Sequence, residues 1–422
     1  MTYLFDDKIR FDDSENLQAF GRLKIANARI LGDYRFMYGS GTTFEMDYVT
    51  STGASIAINY TSVCAVLSVS TTSGSSAFLQ TKQYHPYIPG TGYTGLMTFV
   101  FTTSVVGLSQ SAGMFDANDG VFFRVRDGVA EFVIRRAGLD REVVAQDDWN
   151  IDRLDGSMTE FNQSGITADW TKAHIFAVDT QWLGVGRVRF GFYIGGVLKV
   201  CHEINHANIS NDVPYMYQPS LPLRWEIKNT ATQSTTHFMT SVCGAVYAEG
   251  GDVETGFVRA VSTGTSNVSL TAANSVYGKG ILAIRLKNTV VGFKDLHALA
   301  RLKAITIQTD QDIQFKLAVL PGTSTLTTAT WLPVPGLGWC EYAVDFTLNS
   351  SWATTAGILD DQFASGAVNN KPGSPVSENI ENRNNVIFQN YNSRDSQMFA
   401  VIGYRLTADA LVRAGLRWVE VK

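Results

Sequence analysis

Charge is scarce in this chain. Of its 422 residues only 17% are Asp, Glu, Lys or Arg, against about 25% in an average globular protein. Lys and Arg number 34 and Asp and Glu 39, a net charge of -5 at neutral pH. That balance argues against a nucleic-acid partner, whose phosphates demand a basic face. Apolar residues stand at an ordinary 45%, so Ser, Thr, Asn and Gly fill the places charge has left. A surface of neutral hydrogen-bonding groups suits a protein packed against neighbours.

Long apolar runs are missing as well. No stretch approaches the roughly 18 apolar residues of a membrane-spanning helix, so no membrane insertion is expected. The start, Met1 to Asp13, carries Asp6, Asp7, Asp12 and Asp13 and has no apolar region, so a secretory signal peptide is not expected either. The four cysteines, Cys64, Cys201, Cys243 and Cys340, lie far apart with no CxxC pair. Neither a zinc ribbon nor a disulfide framework fits that spacing, and free buried thiols in a reducing cytosol are expected.

What the sequence does have is period-2 alternation punctuated by hairpin turns. Gly120 to Arg126 alternates, Asp127-Gly128 turns the chain, and Val129 to Arg135 runs back. Asp-Gly tolerates the positive backbone angles of a type I′ turn, which marks a hairpin. Arg187 to Ile204 repeats the pattern about Gly195-Gly196. Here Val188, Phe190, Phe192 and Ile194 are expected on one face, with Leu198, Val200 and Ile204 continuing it. Further strands are expected at Ile281 to Leu286, Ala304 to Thr309, Ile313 to Leu320, Trp339 to Phe346, Val386 to Tyr391, Met398 to Leu406 and Leu416 to Val421. Lys294 to Leu302 reads as the one short helix, Leu154 to Phe161 is ambiguous, and Asn349 to Asn385 reads as a long polar loop. The expectation is an all-β chain of two antiparallel β-sandwich domains of jelly-roll or lectin-like kind, residues 46–250 and 251–422, with the boundary at Gly250-Gly251. An extended N-terminal docking arm, residues 1–45, precedes them.

Two motifs invite chemistry and fail on geometry. His202-Glu203-Ile204-Asn205-His206 spells HExxH, but zinc chemistry needs both imidazoles on one helix face. This segment leaves a Gly-Gly turn as a strand, which holds the two histidines about 13 Å apart. His202 is expected as a hydrogen-bonded residue at the core edge. Asp116-Ala117-Asn118-Asp119-Gly120 has its Gly one position early for an EF-hand loop and reads as a turn. No carboxylate pair, nucleophile elbow or phosphate loop can be picked out, so no catalytic residue, cofactor or metal ligand is expected.

Ala19-Phe20-Gly21-Arg22-Leu23-Lys24-Ile25-Ala26, continuing to Ile30-Leu31-Gly32-Asp33-Tyr34, resembles an N-terminal "DAFGRLRVS…LFD/LGDYK" pattern of virion structural proteins of tailed bacteriophages. Gln18 replaces an acidic residue of that pattern and Lys24-Ile25 replaces Arg-Val. The resemblance covers about the first 40 residues. It implies a non-enzymatic particle component of the tail, collar or fibre apparatus, located in the virion after folding in the host cytoplasm. A capsid-decorating protein or a lectin-like host-recognition module is the alternative, with host-surface glycans as a further partner.

The residues of the segment support a docking role on their own terms. Leu17, Phe20, Leu23, Ile25 and Ile30 are apolar, and an isolated arm cannot bury them within itself. With Arg22 they are the candidate assembly contacts, to neighbouring virion proteins or other copies of the chain. An N-terminal strand packed on its own domain remains the competing reading. A homo-oligomer is expected, a trimer before a larger ring.

Overall fold

The computed structural model describes residues 28–36, 45–162, 164–209, 213–249, 256–287, 298–322, 325–336, 338–365, 376–379, 386–387 and 396–421. The chain is all-β with antiparallel sheets, and its described residues form two compact units, which divide near residue 253. The expected boundary at Gly250-Gly251 falls outside the described residues. Residues 45–47 and 82–84 group with the second unit.

In the first unit one sheet has six strands in the order Ala28–Arg35, Cys243–Glu249, Gly92–Phe99, His174–Thr180, Val188–Ile194 and Val197–Ile204. A second sheet has seven, in the order Leu139–Ala145, Val129–Arg136, Gly120–Arg126, Leu108–Phe115, Leu223–Asn229, Ser76–Thr81 and Met46–Ser51. Their inner faces meet through aromatic rings. Phe132 stacks on Phe190 with centroids 4.6 Å apart, and Phe123 meets Phe192 edge-on at 5.1 Å. Trp149, fully buried, stacks on Phe132 at 4.2 Å. A small sheet of Ser55–Asn59, Cys64–Val69 and His237–Ser241 adds Leu67, Val69 and Met239 to the buried set.

The hairpins turn where the dipeptides require it. Asp127 and Gly128 have φ of 53° and 88°, and Gly195 and Gly196 have 61° and 80°, the paired positive angles of a type I′ turn. The second hairpin corrects an expected face. Its pairing runs Ile194 to Val197, Tyr193 to Leu198 and Gly191 to Val200, so Leu198 and Val200 lie opposite to Phe190 and Phe192. A two-residue turn pairs residues whose positions differ by an odd number, and only directly paired residues share a face. A bulge after Phe190 then shifts the register, so that His202 pairs with Phe190 and Ile204 with Val188 on the inner face.

The second unit pairs two further sheets over one core. Phe257–Ser262, Ala410–Val421, Leu299–Thr309 and Val376–Asn379 form one; the other runs Leu326–Thr328, Cys340–Leu348, Lys279–Leu286, Met398–Arg405, Ile313–Leu320 and Gly357–Ala364. Leu302, Ile305 and Trp418 from the first pack with Ile284, Phe315 and Val401 from the second.

Two expectations are corrected here. Leu299 to Leu302 is strand, because it pairs with the C-terminal strand from Val421 to Trp418, and that pairing outweighs local helix preference. The segment taken as a loop from Asn349 holds a one-turn helix, Trp352–Thr355, and the strand Gly357–Ala364, which closes the sheet beside Ile313–Leu320. Trp352 anchors this segment by full burial and an indole N–H donated to the Tyr277 carbonyl at 3.0 Å.

Candidate functional site

The second half of the segment Ala19 to Tyr34 is built into the first unit. Residues 28–35, expected as arm, form the edge strand of the six-stranded sheet, paired with Cys243–Glu249. The strand carries a bulge between Ile30 and Gly32, and an extra residue in one strand reverses which side chains face inward. Ile30 consequently points outward and is 50% exposed, while Tyr34 points into the core. The Tyr34 hydroxyl donates to His85 Nε2 at 3.0 Å, because His85 Nδ1 donates to the Leu221 carbonyl at 2.9 Å. Gly32 has no alternative there, since a Cβ would sit 2.7 Å from both His85 Nε2 and the Tyr34 oxygen. Leu17, Phe20, Arg22, Leu23 and Ile25 lie outside the described residues.

The outer face of this sheet is mostly apolar along two adjacent rows of its last four strands, and the same rows carry the exposed Asp33–Arg35 ion pair on the edge strand. Leu96, Ala177, Gly191 and Val200 are paired neighbours in one, and Thr98, Ile175, Tyr193 and Leu198 in the next. Ile175 is 43% exposed. In the row beyond, Arg189 pairs with Asp179 at 2.5 Å and lies beside Glu203, which Arg187 reaches at 3.2 Å. The cleft these residues line encloses about 10 Å³, room for roughly one water molecule. It is too shallow to enclose a small molecule.

The outer face of the seven-stranded sheet is charged and closed. Arg124 reaches Glu131 at 2.8 Å and Asp140 at 2.6 Å, Arg135 holds the other Asp140 oxygen at 2.9 Å, and Arg224 pairs with Glu226. Phe115 and Phe122 stack beneath, with the Arg135 guanidinium 4.9 Å from the Phe122 ring and Arg224 5.4 Å from that of Phe115. Burial pushes the Asp140 and Glu226 carboxyls upward, but the guanidinium groups beside them win and hold both below the usual range. Asp140 and Glu226 so held stay ionised at neutral pH.

The HExxH segment lies on the strand Val197–Ile204 and the residues after it. His202 Nδ1 accepts the Asn150 backbone N–H at 3.1 Å, and burial pushes its pKa down to about 4. His206 instead stacks on Tyr215 and bonds the Gly186 carbonyl and Glu142. The two rings are thus held by separate partners. At the Asp116 turn, Asp116 accepts the backbone N–H groups of Asn118 and Asp119, while Asp119 accepts that of Tyr217 at 2.7 Å. Burial raises the Asp119 carboxyl. Sequence reasoning missed His85 and the Leu198 and Val200 face. A single buried His carries no pattern, but the parity of the Gly195-Gly196 hairpin held the second signal.

No protein-family model matches the chain, and neither does the sequence of any curated protein. Several solved structures are distantly similar. A Bacillus licheniformis β-glucanase is 12% identical over 54% of this chain and 100% of its own, with a TM-score of 0.32. A glycosyl hydrolase family 16 protein from Mycobacterium smegmatis is 11% identical over 52% of this chain and 100% of its own, at 0.35. A legume lectin-like domain from Entamoeba histolytica is 9% identical over 48% of this chain and 90% of its own, at 0.28. Likeness at these scores carries no argument about function.

Proposed function

We propose that the chain is a non-enzymatic structural component of a tailed bacteriophage particle, part of the tail, collar or fibre apparatus, joined to its neighbours through its N-terminal segment. The observation that carries this reading is the segment from Ala19 to Tyr34. Its sequence resembles a pattern of phage virion proteins, and its second half enters the fold as an edge strand. The apolar residues Leu17, Phe20, Leu23 and Ile25 stand immediately upstream of that edge. A low-charge surface and a shallow apolar sheet face support a life in contact with other chains.

Mass spectrometry of purified phage particles tests the reading. The chain is expected among the particle proteins in fixed stoichiometry, as a trimer or larger ring of copies. Its recovery only from the soluble fraction of infected cells overturns the proposal. Binding on a glycan array together with absence from particles would favour the lectin-like alternative.

A further inference from the structure

We propose that the strand Ser55–Asn59 is a docking edge for a second copy of the chain, the two strands pairing antiparallel about a two-fold axis at Ala57. This strand ends the small sheet, and among the described residues it pairs on one side only, with Cys64–Val69. Ser55, Ala57 and Asn59 are exposed. Natural proteins blunt such edges with charge, proline or a bulge, because the open N–H and C=O groups recruit another strand. The strands that end the two large sheets of the first unit follow that rule, carrying Asp33, Asp47, Arg141 and Glu203. Ser55–Asn59 does not. Its pairing runs without a register shift, and no Asp, Glu, Lys, Arg or Pro stands between Asp47 and Lys82. His237–Ser241, at the other end of the small sheet, is uncharged too, but Thr240 there exchanges two backbone hydrogen bonds with Val100.

The order of residues selects the occupant. Ser-Ile-Ala-Ile-Asn reads polar, isoleucine, alanine, isoleucine, polar in either direction. An antiparallel partner runs in reverse, so a second copy presents the matching pattern: Ala57 meets Ala57, Ile56 meets Ile58 and Ser55 meets Asn59. Directly paired residues share a face, so the isoleucines of the two copies meet on the inner side. There Ile56 pairs with Leu67 and Ile58 with Ala65, both fully buried, whereas the two isoleucines are only partly covered. A second copy completes their burial. Charge does not oppose the approach, since Cys64–Val69 and His237–Ser241 behind the edge also lack Asp, Glu, Lys and Arg. A chain of net charge -5 thus meets its copy where neither is charged. The contact is isologous and closes as a pair of copies. It goes beyond the particle reading and does not depend on it.

A cysteine at the axis tests the pairing. The full-length chain is made with Ala57→Cys and, separately, with Ser55→Cys, both on exposed side chains. Each also carries Cys64→Ala, which removes the native thiol of the adjacent strand. Mild oxidation of the concentrated protein is read on a non-reducing gel, with the linked peptides identified by mass spectrometry. Across a two-fold axis at Ala57 the two copies of residue 57 face each other with Cα atoms about 4.5–5.5 Å apart, within reach of a disulfide. The two copies of residue 55 stand four positions apart along the pair, about 13 Å, which is out of reach. A 57–57 link is therefore expected at ten or more times the yield of a 55–55 link. The absence of a 57–57 link overturns the proposal. Equal yields at the two positions overturn it too, because only a parallel pairing or random collision brings both together. Neither result bears on the particle role, which stands or falls on the composition of purified particles.

Discussion

The Tyr34 hydroxyl donates a hydrogen bond to Nε2 of His85, a ring with no exposure to solvent, at 3.0 Å. That contact ties the edge strand Ala28–Arg35 to the core of the first unit. It exists because the bulge at Leu31 and Gly32 turns Tyr34 inward. Tyr34→Phe removes the donor and leaves a buried nitrogen unsatisfied, at a cost of about 1–3 kcal/mol. Urea unfolding followed by tryptophan fluorescence measures the loss; an unchanged midpoint would falsify the assignment of this contact as structural.

The edge strand sets where the segment can be cut. Deletion of residues 1–27 should leave the β-sheet signature and cooperative unfolding intact while lowering incorporation into particles. Deletion through Arg35 should destabilise the protein, because it strips one of the two partner strands from Cys243–Glu249 and removes Tyr34. Equal stability of the two truncations, measured by thermal unfolding, would contradict the strand assignment.

Acid should weaken the fold through two histidines. Burial lowers the pKa of His85 and of His202 from 6.5 to about 4. The unfolded chain therefore binds more protons than the folded one in this interval, so stability falls as pH falls. The contribution is fully present above about pH 6.5, and its loss is complete below about pH 4. Each ring accounts for about 3 kcal/mol at most. Urea midpoints between pH 7 and 4.5 should decline, and His202→Gln should flatten the decline. A variant with the wild-type slope would show that His202 takes no part in it.

In the second unit, the buried Glu420 carboxylate accepts the backbone N–H groups of Trp339 at 3.1 Å and Cys340 at 3.0 Å, with Arg259 at 3.4 Å. Glu420→Gln keeps an acceptor oxygen, whereas Glu420→Ala abandons both N–H groups. The alanine variant should be the less stable by about 1–3 kcal/mol. Indistinguishable denaturation curves for the two would mean that water replaces the carboxylate there.

Phe190 packs between sheets with no exposed surface, against Phe132 and Phe176. Phe190→Ala should cost about 3–5 kcal/mol as a cavity substitution. Leu198→Ala, on the other face of the same hairpin, should cost well under half as much. Similar losses in differential scanning calorimetry would place Leu198 in the core after all.

Local pattern by itself determined the all-β character, the Asp127-Gly128 and Gly195-Gly196 hairpins, and the strand from Ile313 to Leu320. Each rests on alternation or on a dipeptide that tolerates positive φ, and both are properties of neighbouring residues. The strand setting of His202 was legible for the same reason. Only the tertiary structure decided what depends on a distant partner. Leu299 to Leu302 became strand because the C-terminal strand lies beside it, and Gly357–Ala364 because Ile313–Leu320 offered an edge. The bulges at Leu31 and after Phe190 decided which face Tyr34, Ile30 and His202 occupy, and a bulge follows from the fit between two paired strands, which alternation within one strand does not record. A one-residue shift in pairing moves every side chain beyond it to the other side of the sheet. The character of a strand is therefore written locally, while the face that becomes a core or a docking surface is fixed by its partners.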